Sequence, residues 1–226
     1  MKKETDLITI SDVAKASGVS KTTVSRYLNG KFGYMSEDTR KRIHGVIEEY
    51  HYRPSNVAKT LKSNKSGLVG VIVADIASQS SSILLKGIGD VCTAHGYQVL
   101  ISNVDNDPAK EREYIHSLMD NRVEGIIVNT TGYNEDFLVN INETRVPMVL
   151  ADRTMDKLKI DSVTTNNHKM TFDTIKFLVE KGYENIAFFT ENPTNNSVRL
   201  NRRRGYLDAM KELLNIDAEK LIYTIK

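Results

Sequence analysis

From residue 67 onward, apolar and polar positions alternate between two periods. LVGVIVA at 68–74 is a near-continuous apolar run rich in Val and Ile, the pattern of a parallel strand buried on both faces. QVLIS (98–102), GIIVN (125–129) and PMVLA (147–151) repeat it. Helical spacing fills the gaps: 83–95 with Leu84, Ile88, Val91 and Cys92 inward, about 108–121 with Tyr114, Ile115, Leu118 and Met119 inward, and 135–142. Strand and helix in alternation predict a doubly wound α/β sheet with right-handed crossovers, which takes its ligands beyond the carboxyl ends of the strands. The polar tract DSVTTNNHK at 161–169 marks a change of subdomain. Beyond it come a helix over about 170–181 ended by Gly182, a strand at 186–190, a helix over 197–214 with Leu207, Met210 and Leu213 inward, and a last strand, LIYTI. Two strands and two helices are too few to cover themselves, so Leu178, Phe188, Leu207 and Met210 are expected to lack cover, and the chain to stop partway through a subdomain.

The first 53 residues carry only helical spacing. Ile43, Val46, Ile47 and Tyr50 recur at 0, 3, 4 and 7, giving a third helix one apolar face with which to cover Val13, Val24 and Leu28. Ahead of it, Thr9 and Asp12 have capping-box spacing for a short helix around Val13 and Ala14 that Gly18 ends. Ser20 caps a second helix over 21–28, with Val24 and Leu28 on one face and Thr22 and Arg26 on nearly the opposite one. Two short helices joined by a glycine turn, the second offering Lys, Thr, Ser and Arg outward, form a helix-turn-helix able to enter a major groove. The plainer alternative is a helical hairpin with a solvated polar face. Gly30 and Gly33 turn the following loop, Ser36 caps the third helix with Glu37 and Asp38 in its first turn, and Pro54 is expected to end it. A short helix over 56–62, capped by Ser55 with Val57, Ala58 and Leu61 apolar, is either a solvated linker or a hinge that folds on DNA, with Leu61 as a wedge. The expected organisation is a head at 1–53, a hinge and linker at 54–66, a first subdomain at 67–163 and a partial second one at 164–226.

Charge sharpens this division. The net charge is only +2, but residues 1–65 hold 13 Lys and Arg against 7 Asp and Glu, whereas the rest hold 18 against 22. A basic head on a mildly acidic body implies that the head alone meets a polyanion. Cys92 is the single cysteine, so no intramolecular disulfide forms, and its place in a helical stripe marks it as a small buried hydrophobe. The N-terminus lacks an apolar signal region and no stretch reaches membrane-span length, so a cytoplasmic protein is expected. Gly87-Ile88-Gly89 lies within a helix, away from the strand-to-helix turn that a dinucleotide fingerprint needs. With no Ser/His/Asp set and no metal-ligand spacing, neither an enzyme nor a cofactor is implied.

Together these residues resemble the lactose/galactose repressor (LacI/GalR) family of bacterial transcription regulators. The carrying motifs are T-x-x-D-V-A-x-x-x-G-V-S-x-x-T-V-S-R-x-L-N at 9–29, Y-R-P-S-x-V-A-x-x-L at 52–61 and the strand GLVGVIV at 67–73. The resemblance implies that Lys21, Thr22 and Arg26 read base edges, that Ser20, Thr23, Ser25 and Asn29 hold phosphates, and that Asn56, Ala58 and Leu61 form a minor-groove hinge. Lys and Arg suit guanine, and hydroxyls suit phosphate oxygens. It further implies a periplasmic-binding-protein-like body, a sugar or sugar-acid effector held by Asp152 and Arg202, and a homodimer on a pseudo-palindromic operator in double-stranded DNA, with no membrane partner. Two departures stand out. Where members commonly have Asn-Pro-Phe this chain has Ser78-Gln79-Ser80, with the Ser80 hydroxyl offered in place of an apolar floor, and members continue well past residue 226. Within the family, the stretches 81–87 and 130–132 resemble regulators of 2-keto-3-deoxygluconate use. The expected function is a sugar-controlled repressor of carbohydrate-use genes. A stand-alone cytoplasmic sugar-binding module with a vestigial head is the alternative.

Overall fold

The computed structural model of the chain describes residues 8–33, 35–53, 65–155 and 160–225, in two compact units, Met1–Ser66 and Gly67–Lys226. The first unit is three helices: α1 (Ile10–Ala16), α2 (Lys21–Leu28) and α3 (Glu37–Glu49). One Asp12 carboxylate oxygen accepts both the Thr9 amide, at 2.8 Å, and the Thr9 hydroxyl, at 2.6 Å, which starts α1. Ser20 and Ser36 accept the amides of Thr23 and Thr39, at 3.1 and 3.2 Å, and so start α2 and α3. Val13, Ala14, Val24 and Ile43 form the core, with Leu28, Val46 and Ile47 packed on it. The expected role of Tyr50 is corrected. The chain reverses at His51 (φ 48°) and the Tyr52 amide donates to the Ile47 carbonyl at 3.0 Å, so Tyr52 joins the core instead. For the same reason α3 ends at Glu49, short of Pro54. The hinge residues Asn56, Ala58 and Leu61 lie outside the described residues.

The second unit begins with the expected alternation: β1 (Leu68–Val73), α4 (Gln79–Ala94), β2 (Gln98–Asn103), α5 (Pro108–Asp120), β3 (Gly125–Val128), α6 (Glu135–Thr144) and β4 (Met148–Ala151). The sheet is parallel, in the order β2-β1-β3-β4-β5. Its fifth strand, β5 (Ser162–Val163), falls in the tract expected to be only a boundary. It forms because Leu150 and Asp152 donate their amides to the Asp161 and Val163 carbonyls, both at 2.8 Å, a backbone pairing that leaves no side-chain period. Ile72, Ile115, Leu118, Ile126, Val128 and Leu138 centre the core. Helix α4 departs from expectation. It starts at Gln79, and although Leu84, Ile88 and Cys92 are half-buried, Ile83 and Val91 are exposed. The helix packs on β2, an edge strand, and no second element covers its outer side among the described residues.

The remaining elements are α7 (Asn167–Glu180), β6 (Phe188–Glu191), α8 (Ser197–Leu214), a 3₁₀ turn (Glu219–Leu221) and β7 (Ile222–Ile225), with β6 and β7 paired in parallel. The expected lack of cover is corrected here too. Met210 is fully buried, and Leu178, Phe188 and Leu207 pack against a cluster centred on Tyr206, Ala209 and Met210. The Tyr206 hydroxyl donates to the Ile186 carbonyl at 2.8 Å and its ring stacks on Phe188 at 5.1 Å. The exposed apolar residues of this half are others, among them Met170 and Phe177 on α7 and Phe189 stacked on Tyr223 on the outer side of the β6–β7 pair.

The two halves of the second unit meet at their loops. Gly132 (φ 88°) follows β3, and a Cβ there would stand 2.0 Å from the Asn195 carbonyl oxygen, so only glycine permits the approach. The Thr154 amide donates to the Ser197 hydroxyl at 2.8 Å, tying the end of β4 to the start of α8.

Candidate functional site

On the head, α2 presents Lys21, Thr22, Arg26 and Asn29 to solvent, with Thr23 and Ser25 half-buried beneath them. This follows from its sequence: Val24 and Leu28 turn inward to the core, which forces the positions two residues away outward. Thr22, Ser25, Arg26 and Asn29 line one depression of about 200 Å³ together with Lys31, a residue the sequence reading left in a turn. The hydroxyls differ in their freedom. Ser20 and Thr23 hydrogen-bond each other at 2.9 Å within the cap, and the Asn29 carboxamide donates to the Ser25 carbonyl at 2.6 Å, closing the end of α2. The loop beyond is braced: Phe32 meets Tyr27 edge-on at 5.8 Å, the Arg40 guanidinium lies 4.2 Å over Phe32, and the Tyr27 hydroxyl is 3.1 Å from His44 Nδ1. A rigid, cationic, hydroxyl-rich helix face of this kind can enter a groove and contact both base edges and phosphates.

On the second unit, the carboxyl ends of the strands are stitched together by polar side chains. Buried Asn129, after β3, accepts the Ala74 amide at 3.3 Å and donates to the Ala151 carbonyl at 3.1 Å, bridging β1 and β4. Fully buried Glu111 on α5 accepts the Thr131 amide, the Thr131 hydroxyl and the Asn134 carboxamide at 2.8, 2.9 and 2.8 Å, which fixes the loop after β3. Asp105, Asn106, Asp152 and Asn195 all take left-handed backbone conformations on these loops, a cost that Asn and Asp bear more cheaply than other residues. Asp152 is half-buried just past β4, with φ 68°.

Beside it, Arg153 donates from Nη1 to the Thr130 carbonyl at 2.9 Å and from both Nη atoms to Asn106 Oδ1 at 3.3 Å. Burial, followed by the charge of Arg199, pushes its guanidinium below the usual arginine range, against the opposing pull of Asp152, Glu111 and Asp75. Arg202 donates its Nε to the side chain of buried Asn167 at 2.9 Å. Among the described residues, no hydrogen bond or ion pair joins Arg202 to Asp152. Ser80 is exposed, and its hydroxyl pairs with that of Ser78 at 2.7 Å. Arg203, one residue on from Arg202, pairs with Glu219 at 2.6 Å. Arg153, Arg199 and Glu111 were absent from the sequence reading. A charged residue two positions past a predicted strand was the available signal for Arg153, whereas nothing local marks Glu111 as buried. Among the described residues no His, Cys, Asp or Glu group could hold a metal, and no helix is long and apolar enough to cross a membrane.

Comparison with known proteins adds the family. The lacI family of bacterial regulatory proteins matches residues 9–55, and the periplasmic binding proteins and sugar binding domain of the LacI family match residues 66–222. The chain is 42% identical over 216 residues to the HTH-type transcriptional regulator KdgR of Bacillus subtilis, covering 96% of this chain and 63% of that protein. It is 37% identical over 199 residues to the HTH-type transcriptional regulator PtxS of Pseudomonas putida, covering 88% and 58%. The crystal structure of the lac repressor dimer bound to operator and the anti-inducer ONPF superposes with a TM-score of 0.79 at 26% identity, covering 90% of this chain and 62% of that one. The chain thus spans less than two thirds of the length of these relatives. With three helices in its first unit and a parallel α/β second unit, the chain belongs to the lacI family of bacterial regulatory proteins.

Proposed function

We propose that the chain is a sequence-specific DNA-binding transcription regulator, a repressor of carbohydrate-use genes that acts as a dimer in the cytoplasm, is not an enzyme, and is controlled by a sugar or sugar-acid effector. The observation that carries this is the α2 face, on which Thr22, Ser25, Arg26 and Asn29 share one solvent-facing depression with Lys31. In this account residues 1–53 are the head, 54–66 the hinge, and 67–163 and 164–226 the two effector subdomains. Lys21, Thr22 and Arg26 read bases, Ser20, Thr23, Ser25 and Asn29 hold phosphates, and Asn56, Ala58 and Leu61 enter the minor groove. Asp152 and Arg202, with Ser80 at the rim, receive the effector from opposite halves of the body. An effector that prefers one arrangement of those halves alters operator affinity through linkage. Likeness to a repressor crystallised as a dimer on operator with a small ligand supports this.

Binding to genomic DNA fragments, followed by fluorescence anisotropy across a salt series, tests it. Tight binding to a small subset, with log affinity falling linearly in log salt, is expected. Equal weak binding to all fragments would favour the stand-alone sugar-binding module.

A further inference from the structure

Three residues at the amino ends of neighbouring strands hold the point at which the chain enters the body. Gly67 precedes β1, Tyr97 precedes β2 and Glu124 precedes β3, and the sheet places β1 between the other two strands. The Gly67 amide donates to Glu124 Oε1 at 2.7 Å, and the Gly67 carbonyl accepts the Gln98 amide at 2.8 Å. The Glu124 amide in turn donates to the Leu68 carbonyl at 2.8 Å, and the Tyr97 hydroxyl lies 3.4 Å from Glu124 Oε2. Strand pairing itself starts at Leu68 with β2 and at Val69 with β3, so the carboxylate carries the anchorage upstream of the sheet. A carboxylate holds a backbone amide more strongly than a neutral acceptor does. Gly67 also takes a left-handed conformation, φ 69°, which a residue with a Cβ adopts only at a cost, even though a Cβ there would stand at an ordinary 3.8 Å from the Gly96 carbonyl oxygen. The path of the chain at this point is therefore set by a backbone conformation and a hydrogen bond together. These residues lie at the opposite end of the strands from the loops of Asn106, Thr130 and Asp152, and neither the DNA face nor the effector site uses them.

A head that reaches DNA through a tether is confined by the place from which the tether starts. Two heads on one duplex then bind with an effective concentration that falls as slack is added. We propose that Glu124 is a positioning residue for operator binding: its carboxylate clamps the Gly67 amide and so fixes the end of the tether, residues 54–66, on the body. This rests on the chain being a dimeric DNA-binding regulator and adds to that reading a residue that touches neither DNA nor effector. Release of the clamp leaves each head intact but adds free chain to its tether. Binding that engages both heads weakens, whereas binding through one head does not.

The test uses the 226-residue chain with its Glu124→Ala and Glu124→Gln variants. Fluorescence anisotropy compares the pseudo-palindromic duplex that the parent chain enriches from a randomised pool with the same duplex carrying one scrambled half-site. Hydrogen exchange with mass spectrometry reads peptides across Gly67 against the interiors of β1 and β3. Glu124→Ala should exchange faster at Gly67 alone, bind the intact duplex about fivefold or more weakly, and bind the scrambled duplex within about twofold of the parent. Glu124→Gln, which keeps an acceptor at the same reach, should stay within about twofold of the parent on both duplexes. Should Glu124→Ala fail to fold, Gly67→Ala, which disturbs the same junction through its backbone, decides on the same duplexes. Parent-like affinity for the intact duplex despite faster exchange at Gly67, or no change in exchange there, overturns the proposal while the regulator reading stands. Equal weakening on both duplexes makes Glu124 a support of the fold, and a Glu124→Gln variant as weak as Glu124→Ala removes the hydrogen bond as the cause; either result overturns the proposal. A parent chain that enriches no sequence, or binds both duplexes alike, overturns the dimeric-regulator reading and the proposal with it.

Discussion

The head has so little core that one deletion should silence it. Ile43 is fully buried between α1 and α2, against Val13 and Val24. Ile43→Ala removes three carbons, about 2.4 kcal/mol at roughly 0.8 kcal/mol per methylene, and the residual cavity raises the cost to about 3–4 kcal/mol. A head of roughly 50 residues at about 0.05–0.15 kcal/mol per residue has only about 2.5–7.5 kcal/mol in total. The substitution therefore consumes from about two fifths to all of that stability. Hydrogen exchange with mass spectrometry on the whole chain reads the effect: amides of α1 to α3 should exchange about 150-fold faster, while those of β1 and β3 are unchanged. Ile47→Ala, at a half-buried position of the same helix, should show less than half the free-energy change. DNA affinity should fall with Ile43→Ala even though no DNA-facing residue is altered. Acceleration below about tenfold in the head, or equal acceleration in the body, would refute a separate, marginal three-helix core.

Other outcomes follow from the same contacts. Arg26→Ala should flatten base preference at one operator position, at a cost of about 1–3 kcal/mol, while Thr23→Ala weakens binding to all sequences alike; identical specificity profiles in a binding-site array would contradict the division of roles. Gly205→Ala would put a Cβ 2.3 Å from the His168 carbonyl oxygen, a backbone atom, so α7 must move off α8. Its cost of about 1–3 kcal/mol should lower the melting midpoint of the body by several degrees, and an unchanged midpoint would count against that close contact. The Asp12 carboxyl is held below the usual carboxylate range by the Thr9 hydroxyl and then the Thr9 amide. Being depressed in the folded state, it stabilises α1 above the ordinary carboxylate range, and that contribution is lost as pH falls through the lowered value. Asp12→Asn should therefore reduce the acid sensitivity of α1 amide exchange between neutral pH and about pH 3, and unaltered acid sensitivity would show that the capping carboxylate does not matter.

Much of the fold was legible because it rests on local rules. The Thr9–Asp12 spacing, the Ser20 and Ser36 caps, and the apolar runs of β1, β2, β3 and β4 each announce an element within a few residues. Position 51 was less legible, because a histidine in a left-handed conformation carries no glycine to mark the reversal that brings in Tyr52. Helix α4 misled for another reason: periodicity shows that Ile83 and Val91 are apolar, but only the sheet order shows that the helix borders an edge strand. The exposed face of α2 was readable from α2 alone, since its inward and outward faces are set by one helical period. The body site was not, because Glu111, Asn106, Thr130 and Arg153 converge from four separate segments through hydrogen bonds that no spacing encodes.

The central claim is that α2 recognises a specific DNA sequence on behalf of a symmetric assembly. Selection from a randomised double-stranded DNA pool with the whole chain, followed by sequencing of the bound fraction, tests this most directly. The account predicts enrichment of a pseudo-palindrome whose half-sites lie about one helical turn apart, centre to centre, with base preference flattened at one position of each half-site by Arg26→Ala. A bound fraction with the composition of the starting pool would contradict it.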